Sequence, residues 1–158
     1  MKKTLSLLLA AVLALTCIFA FSGCGKKPMD IDDLQRILEK EGYETYTDEG
    51  KEYGVDVDYL TAYNDNIDIE FMEFDEDEED MKNVITILND EFDYSMNNVP
   101  DGAKVLSSKK TKKHLRMEAL DDGDYMFAAR IENTLIYCEC DEEYMAEAQR
   151  ILKKIGYR

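Results

Sequence analysis

Apolar residues recur at helical spacing at Ile31, Leu34, Ile37 and Leu38, which predicts a helix over Asp30–Glu41. Asp30 suits the N-cap, Asp32 and Asp33 complement the first turn, and Gly42 suits the C-terminal stop. The period then shortens to two. Tyr43, Thr45 and Thr47 alternate with polar residues as in a short strand, and Asp48-Glu49-Gly50-Lys51 reads as a turn. Val55, Val57, Tyr59, Thr61 and Tyr63 alternate more cleanly, Asn64-Asp65-Asn66 supplies a three-residue loop, and Ile67, Ile69 and Phe71 return. Met81, Val84, Ile85, Leu88 and Phe92 restore the helical period. Asn97-Asn98 and Pro100 break it, so Tyr94–Gly102 reads as a loop.

A short strand at Val105-Leu106 precedes a three-stranded meander. Its faces are Leu115, Met117 and Ala119, then Tyr125, Phe127, Ala129 and Ile131, then Thr134–Cys140. Its turns fall at Asp121–Asp124 and Glu132-Asn133. A last helix over Glu142–Ile155 is capped by Asp141 and stopped by Gly156. This order predicts an α+β fold of two layers, an antiparallel sheet of hairpin and meander strands covered by about three helices. Hairpin, acidic cap and helix occur at 55–92 and again at 115–155, and Arg36–Tyr43 echoes Arg150–Tyr157. Either a quasi-duplication sharing one sheet or chance convergence on an amphipathic helix with a glycine stop accounts for the echo.

Residues 1–24 follow different rules. Lys2 and Lys3 precede an almost unbroken apolar run from Leu5 to Phe21, and Ser22-Gly23-Cys24 closes it. This stretch resembles the signal peptide and lipobox of bacterial lipoproteins. The resemblance implies cleavage before Cys24 and a diacylglyceryl thioether on its sulfur. Phe21 stands where such boxes prefer Leu. An uncleaved apolar anchor is the alternative, and it puts the chain on the same side of the membrane. The expected organisation is a signal at 1–23, a lipidated tether at 24–29 and a single α+β domain at 30–158. The implied location is the extracytoplasmic face of a cell membrane, held by N-terminal lipid. Lys26 and Lys27 stand where they would meet headgroups or water.

Composition narrows the partners. Removing residues 1–23 takes two lysines and no acid from a chain of 19 Lys+Arg and 35 Asp+Glu, deepening the net charge from −16 to −18. That balance opposes nucleic acid, whose binding requires neutralised phosphates, and favours cationic partners. With Cys17 in the signal and Cys24 lipidated, only Cys138 and Cys140 stay free, so the chain is no disulfide scaffold.

Few residues carry recognisable chemistry. His114, the single histidine, follows lysines and has no metal-ligand spacing around it. No phosphate cradle or nucleophile elbow is present, and neither a metal nor a cofactor is expected. The acidic run Asp75–Asp80 and the turn Asp121–Asp124 lack the order of a calcium loop. Cys138 and Cys140 share one strand face, either as small core residues or as a redox pair. The first half concentrates Tyr43, Tyr46, Tyr53, Tyr59 and Tyr63, which form a binding surface if they face out and a core if they face in. Lys109, Lys110, Lys112 and Lys113 make a basic run, either a contact for an anionic polymer, headgroups or another copy, or a solvated connector. The leading expectation is a non-catalytic, lipid-anchored binding or accessory protein with a protein or cell-wall polymer partner. The alternatives are an enzyme using paired carboxylates and a thiol protein using Cys138 and Cys140.

Overall fold

The computed structural model describes residues 28–75 and 78–158. The signal and lipidation expectations at residues 1–24 lie outside them. The chain runs α1 (Ile31–Lys40), β1 (Glu44–Glu52), β2 (Val55–Tyr63), β3 (Ile67–Phe74), α2 (Glu78–Asn97), β4 (Lys104–Lys110), β5 (His114–Asp121), β6 (Asp124–Ile131), β7 (Thr134–Asp141), a single 3₁₀ turn (Glu142–Tyr144) and α3 (Met145–Lys154). Two meanders, β1-β2-β3 and β4-β5-β6-β7, join along β3 and β7 into one seven-stranded sheet of order β1-β2-β3-β7-β6-β5-β4. Every neighbouring pair is antiparallel. The fold is the two-layer α+β arrangement expected, an antiparallel sheet covered by three helices.

Strand alternation sorts the helices. On β2, Leu60 and Ala62 join the cluster that holds Leu34 and Leu38 of α1 and Ala148, Ile151 and Leu152 of α3. Val55 and Val57, one residue out of phase, join Val84 and Leu88 of α2. Successive side chains on a strand point to opposite faces, so α1 and α3 form the main layer on one face and α2 lies across part of the other. The main core is filled by Ile67, Ile69 and Phe71 of β3, Tyr125 and Phe127 of β6, and Ile136 and Cys138 of β7. Complete burial of a side chain such as Leu34 or Phe71 contributes about 1.5–3 kcal/mol.

Three local readings need correction. Asp48–Lys51 is not a turn: it sits mid-strand in β1, and the reversal falls at Tyr53-Gly54, both with positive φ. Gly50 pairs with Val57, and the Tyr59 ring lies over it, 3.0 Å from where a β-carbon would stand. An aromatic ring from the next strand thus covers a glycine that leaves the strand bare. The second helix does not stop at Tyr94 but continues to Asn97. The basic run is not a simple loop, because β4 extends through Lys110 and carries a bulge between Val105 and Ser107.

The echo between Arg36–Tyr43 and Arg150–Tyr157 has a structural counterpart. Gly42 and Gly156 both take positive φ, at 90° and 92°. Each donates its N–H to the residue three before it, and the next tyrosine N–H donates to Leu38 or Leu152. This is the paired hydrogen-bond pattern of the Schellman stop, and both tyrosines turn into the core. The longer repeat fares differently. The helices that follow the two meanders, α2 and α3, lie on opposite faces of the sheet.

Candidate binding face

α2 covers only part of its side of the sheet. It meets the ends of β2, β3 and β7 through Val55, Val57, Phe74 and Leu135, and reaches Leu115 on β5. Beyond it the strand registers align two rows, of which the nearer meets the edge of α2 at Ala128 and Tyr137. One row is Tyr46, Thr61, Glu70, Tyr137 and Ala128. The next is Glu44, Tyr63, Asp68, Glu139 and Met126. Tyr46, Tyr63, Tyr137 and Met126 are exposed at 63%, 42%, 36% and 37%, large values for side chains on a sheet face. Glu44, Asp68, Glu70 and Glu139 are exposed among them, and neither row contains a cation. With strands about 4.8 Å apart, Tyr46 and Tyr137 stand roughly 14 Å from each other. The surface is a slab of aromatic rings edged by carboxylates.

Local contacts hold this face in place. The Tyr63 hydroxyl donates to Glu44 at 3.0 Å. Burial raises the Tyr137 phenol above its ordinary range, and the carboxylates of Glu91, Glu70 and Glu52 push it further up. The ring therefore stays neutral and keeps its hydroxyl as a donor across the physiological range.

The tyrosines singled out in the sequence separate into three groups. Tyr46 and Tyr63 lie on the open rows. Tyr59 is half-buried against the α2 cluster, and Tyr53 sits in the β1–β2 turn with its hydroxyl 3.2 Å from the Glu91 carboxylate. Burial, assisted by Glu91, pushes the Tyr53 phenol up to about 12. Tyr43 does not belong to any surface. It is 4% exposed in the main core, where the Schellman turn after α1 sends it inward, and its pKa is raised by burial.

The lysines are also divided. Lys110 lies on the α2 side, bonded to Asp93 at 2.6 Å and seated 5.8 Å above the Phe92 ring. Lys113 pairs with Glu132 at 2.9 Å. Lys109 and Lys112 are exposed, with Lys109 opposite Arg116 on the other face of the sheet. The run does not form one continuous basic patch. Cys24 lies outside the described residues.

Tyr137, Met126, Asp68, Glu70 and Glu139 were not singled out as surface residues, though all five belong to the open rows. Alternation alone places Tyr137 and Glu139 opposite Cys138. The pairing of β3 with β7, which brings them beside Glu70 and Asp68, is non-local and has no sequence mark. Cys138 and Cys140 are free, buried and packed in the main core. Burial pushes their thiols up, to about 12 and about 11, away from the thiolate that redox or metal chemistry requires. Among the described residues no group of three or more His, Cys, Asp or Glu side chains is arranged to hold a metal ion. No described helix is long and apolar enough to cross a membrane.

No family model matches the chain. No curated protein matches it either. A solved structure it is similar to is a GTP binding regulator from Thermotoga maritima, at 15% identity over 78% of this chain and 87% of that one, with a TM-score of 0.42. A likeness of that degree says nothing about what this chain binds.

Proposed function

We propose that this chain is a lipid-anchored extracytoplasmic binding or accessory protein, non-catalytic, which engages a positively charged protein segment through the open half of its sheet. The observation that carries the reading is the pair of open rows, with three exposed tyrosines and a methionine among four carboxylates and no cation. Tyrosine rings attract ammonium and guanidinium groups at their faces, and the flanking carboxylates select for positive charge. Rigid aromatic side chains lose little entropy on contact, which suits a docking surface. Exposed apolar area of this kind on a sheet marks an interaction site. Cys24 carries the lipid, residues 24–29 form the tether, and the short tether holds the face close to the bilayer.

Two measurements test the two parts. Labelled palmitate should enter the protein in a bacterial host and be lost in Cys24→Ala, which should leave the membrane fraction. Retention of Cys24→Ala by the membrane, with no label in the parent chain, overturns the anchor. For the face, a lysine-rich peptide titrated against the chain should shift the resonances of Tyr46, Tyr63 and Tyr137, and a glutamate-rich peptide should not. A Tyr46→Ser/Tyr63→Ser/Tyr137→Ser variant should weaken the lysine-rich peptide at least tenfold. Equal shifts spread over the whole acidic surface would mean that net charge, not this face, does the binding.

A further inference from the structure

The two edges of the sheet, β1 and β4, are built differently. β4 is blunted in the usual ways: it is seven residues long, carries Lys104, Lys109 and Lys110, and bulges between Val105 and Ser107. β1 is unbroken. Its nine residues pair with β2 without a shift, from Glu44 opposite Tyr63 to Glu52 opposite Val55, and they include no proline and no buried residue. At about 3.4 Å per residue the strand is roughly 30 Å long.

Hydrogen-bond alternation fixes which groups of β1 point outward. Tyr53 and Gly54, at φ 53° and 86°, form a two-residue type I′ turn, so Glu52 and Val55 close it as a hydrogen-bonded pair. Asp56 agrees with that phase, because its carbonyl faces away from β1 and accepts from the Asp75 N–H at 3.0 Å. Bonded positions then recur at Gly50, Asp48, Tyr46 and Glu44, while Thr45, Thr47, Glu49 and Lys51 aim N–H and C=O away from the sheet. Among the described residues no other main-chain group bonds to these four. Glu49 N–H has Asp48 Oδ1 at 2.9 Å, which leaves the N–H groups of Thr45, Thr47 and Lys51 to water or to another strand. α1 does not roof this side: an open cleft of about 600 Å³ lies between Ile31 and Gln35 of α1 and Thr47 and Glu49 of β1. Charge then selects the occupant. Glu44, Asp48, Glu49 and Glu52 make the strand negative, and its one cation, Lys51, is bonded to Asp56 at 2.6 Å. A second copy of β1 would set like charges against each other, whereas a cationic strand meets complementary charge along its length.

We infer that β1 takes an extended, lysine- or arginine-bearing segment of a partner protein as an eighth strand of the sheet. The inference rests on the cationic partner proposed above and specifies how its backbone is held. Tyr46 and Glu44 are the β1 ends of the two open rows, so the added strand continues both. A side chain directly opposite Tyr46 stands about 4.5–5.5 Å from it, within the roughly 6 Å at which an ammonium group is attracted to the ring face. Side chains alternate along a strand, so cations two residues to either side come beside Glu44 and Asp48. Backbone bonds to Thr45, Thr47 and Lys51 supply affinity, and the alternate basic side chains supply selection.

The test uses the full ¹⁵N-labelled chain in lipid nanodiscs with an alternating lysine–threonine heptapeptide. Its fully N-methylated counterpart keeps the charge and loses the backbone donors. The parent peptide should slow exchange of the Thr45, Thr47 and Lys51 amide hydrogens at least tenfold. The methylated peptide should bind at least tenfold more weakly and leave those rates unchanged. Thr47→Pro removes an outward N–H and no bond to β2, so it should weaken the parent peptide about tenfold, while Thr47→Val should not. Amide rates unchanged at saturation, or a methylated peptide that binds as well as the parent, would overturn the inference even if Thr47→Pro does not fold. Shifts at Tyr46, Tyr63 and Tyr137 without amide protection would remove this inference and leave the open face standing. Protection undiminished in Tyr46→Ser/Tyr63→Ser/Tyr137→Ser would remove the tyrosine face and leave the edge standing.

Discussion

Glu118 shows how much a single buried carboxylate can organise. It is 2% exposed on β5, and Arg158 Nε reaches its two oxygens at 3.2 and 3.1 Å. The hydroxyls of Ser107 and Tyr125 donate to it at 3.1 and 3.2 Å. It therefore joins β4, β5 and β6 to the segment after α3. Glu118→Ala removes the buried acceptor shared by Ser107, Tyr125 and Arg158, and we expect a loss of about 1–3 kcal/mol in urea unfolding. Arg158, a third exposed at its side chain, can turn back to water and limits the damage. The two cysteines make a second residue-scale case. Burial pushes their thiols up to about 12 and about 11, from the roughly 8.5 of an open thiol. Between those values the unfolded chain releases protons that the native one holds, so stability present below about pH 8.5 declines as pH rises toward 11 and 12. Cys138→Ala/Cys140→Ala should flatten that alkaline decline in chemical unfolding from pH 8 to 10. A thiol reagent at pH 8 should label neither cysteine until denaturant is added. The pattern of alternation shows that the two share a face; which face is buried follows only from α1 and α3 lying over it.

At the scale of elements, the ends of α1 and α3 are the most informative pair. A glycine at positive φ followed by a buried tyrosine is built twice, and both parts are written in the chain as Gly42-Tyr43 and Gly156-Tyr157. Alanine at either position must adopt the left-handed region, so Gly42→Ala and Gly156→Ala should each cost about 1–2 kcal/mol in thermal or urea unfolding. The helix ends also meet each other. Glu41, beside the stop of α1, bonds to Arg150 at 2.8 Å and to Lys154, both on α3. The hydrogen bonds from Lys154 and Arg150 hold its carboxyl below the ordinary range. A depressed carboxyl contributes stability above its unfolded pKa and loses it as pH falls through the folded value, so Glu41→Gln should soften the acid limb of the stability curve. The helix positions were legible because period and stop coincide in α1 and α3, and Asp30 caps α1. Asp141, expected to cap the last helix, makes no side-chain cap bond, and α3 begins at Met145 after a 3₁₀ turn rather than at Glu142. β1 was not legible, because Asp48-Glu49-Gly50-Lys51 has turn composition. A strand of that composition persists because its backbone is paired along β2 and Tyr59 covers Gly50. Tertiary pairing outweighs local preference there.

Over the whole molecule, charge of one sign dominates. A net charge of −16 on 158 residues repels itself most at low salt. Raising ionic strength from 10 to 150 mM shortens the Debye length from about 30 to about 8 Å, so Tm should rise by a few degrees in calorimetry. The ion pairs Arg36–Asp33, Lys51–Asp56 and Lys113–Glu132 are exposed and lose little by comparison. A Tm that falls with salt would mean that attraction between these scattered pairs outweighs the global repulsion.

The amino-acid order by itself determined the alternating and helical stretches, their glycine and asparagine breaks, and the acidic balance. Those are properties of neighbouring residues, and period, cap and charge are all read locally. The tertiary structure alone decided that the two meanders join at β3 and β7 and that α2 crosses to the far side of the sheet. It decided too that Tyr43 is core while Tyr137 is surface, and that Arg130 is buried with its guanidinium on two backbone carbonyls. Strand partners distant in sequence are chosen by which faces can bury apolar area together, and no single segment encodes that choice.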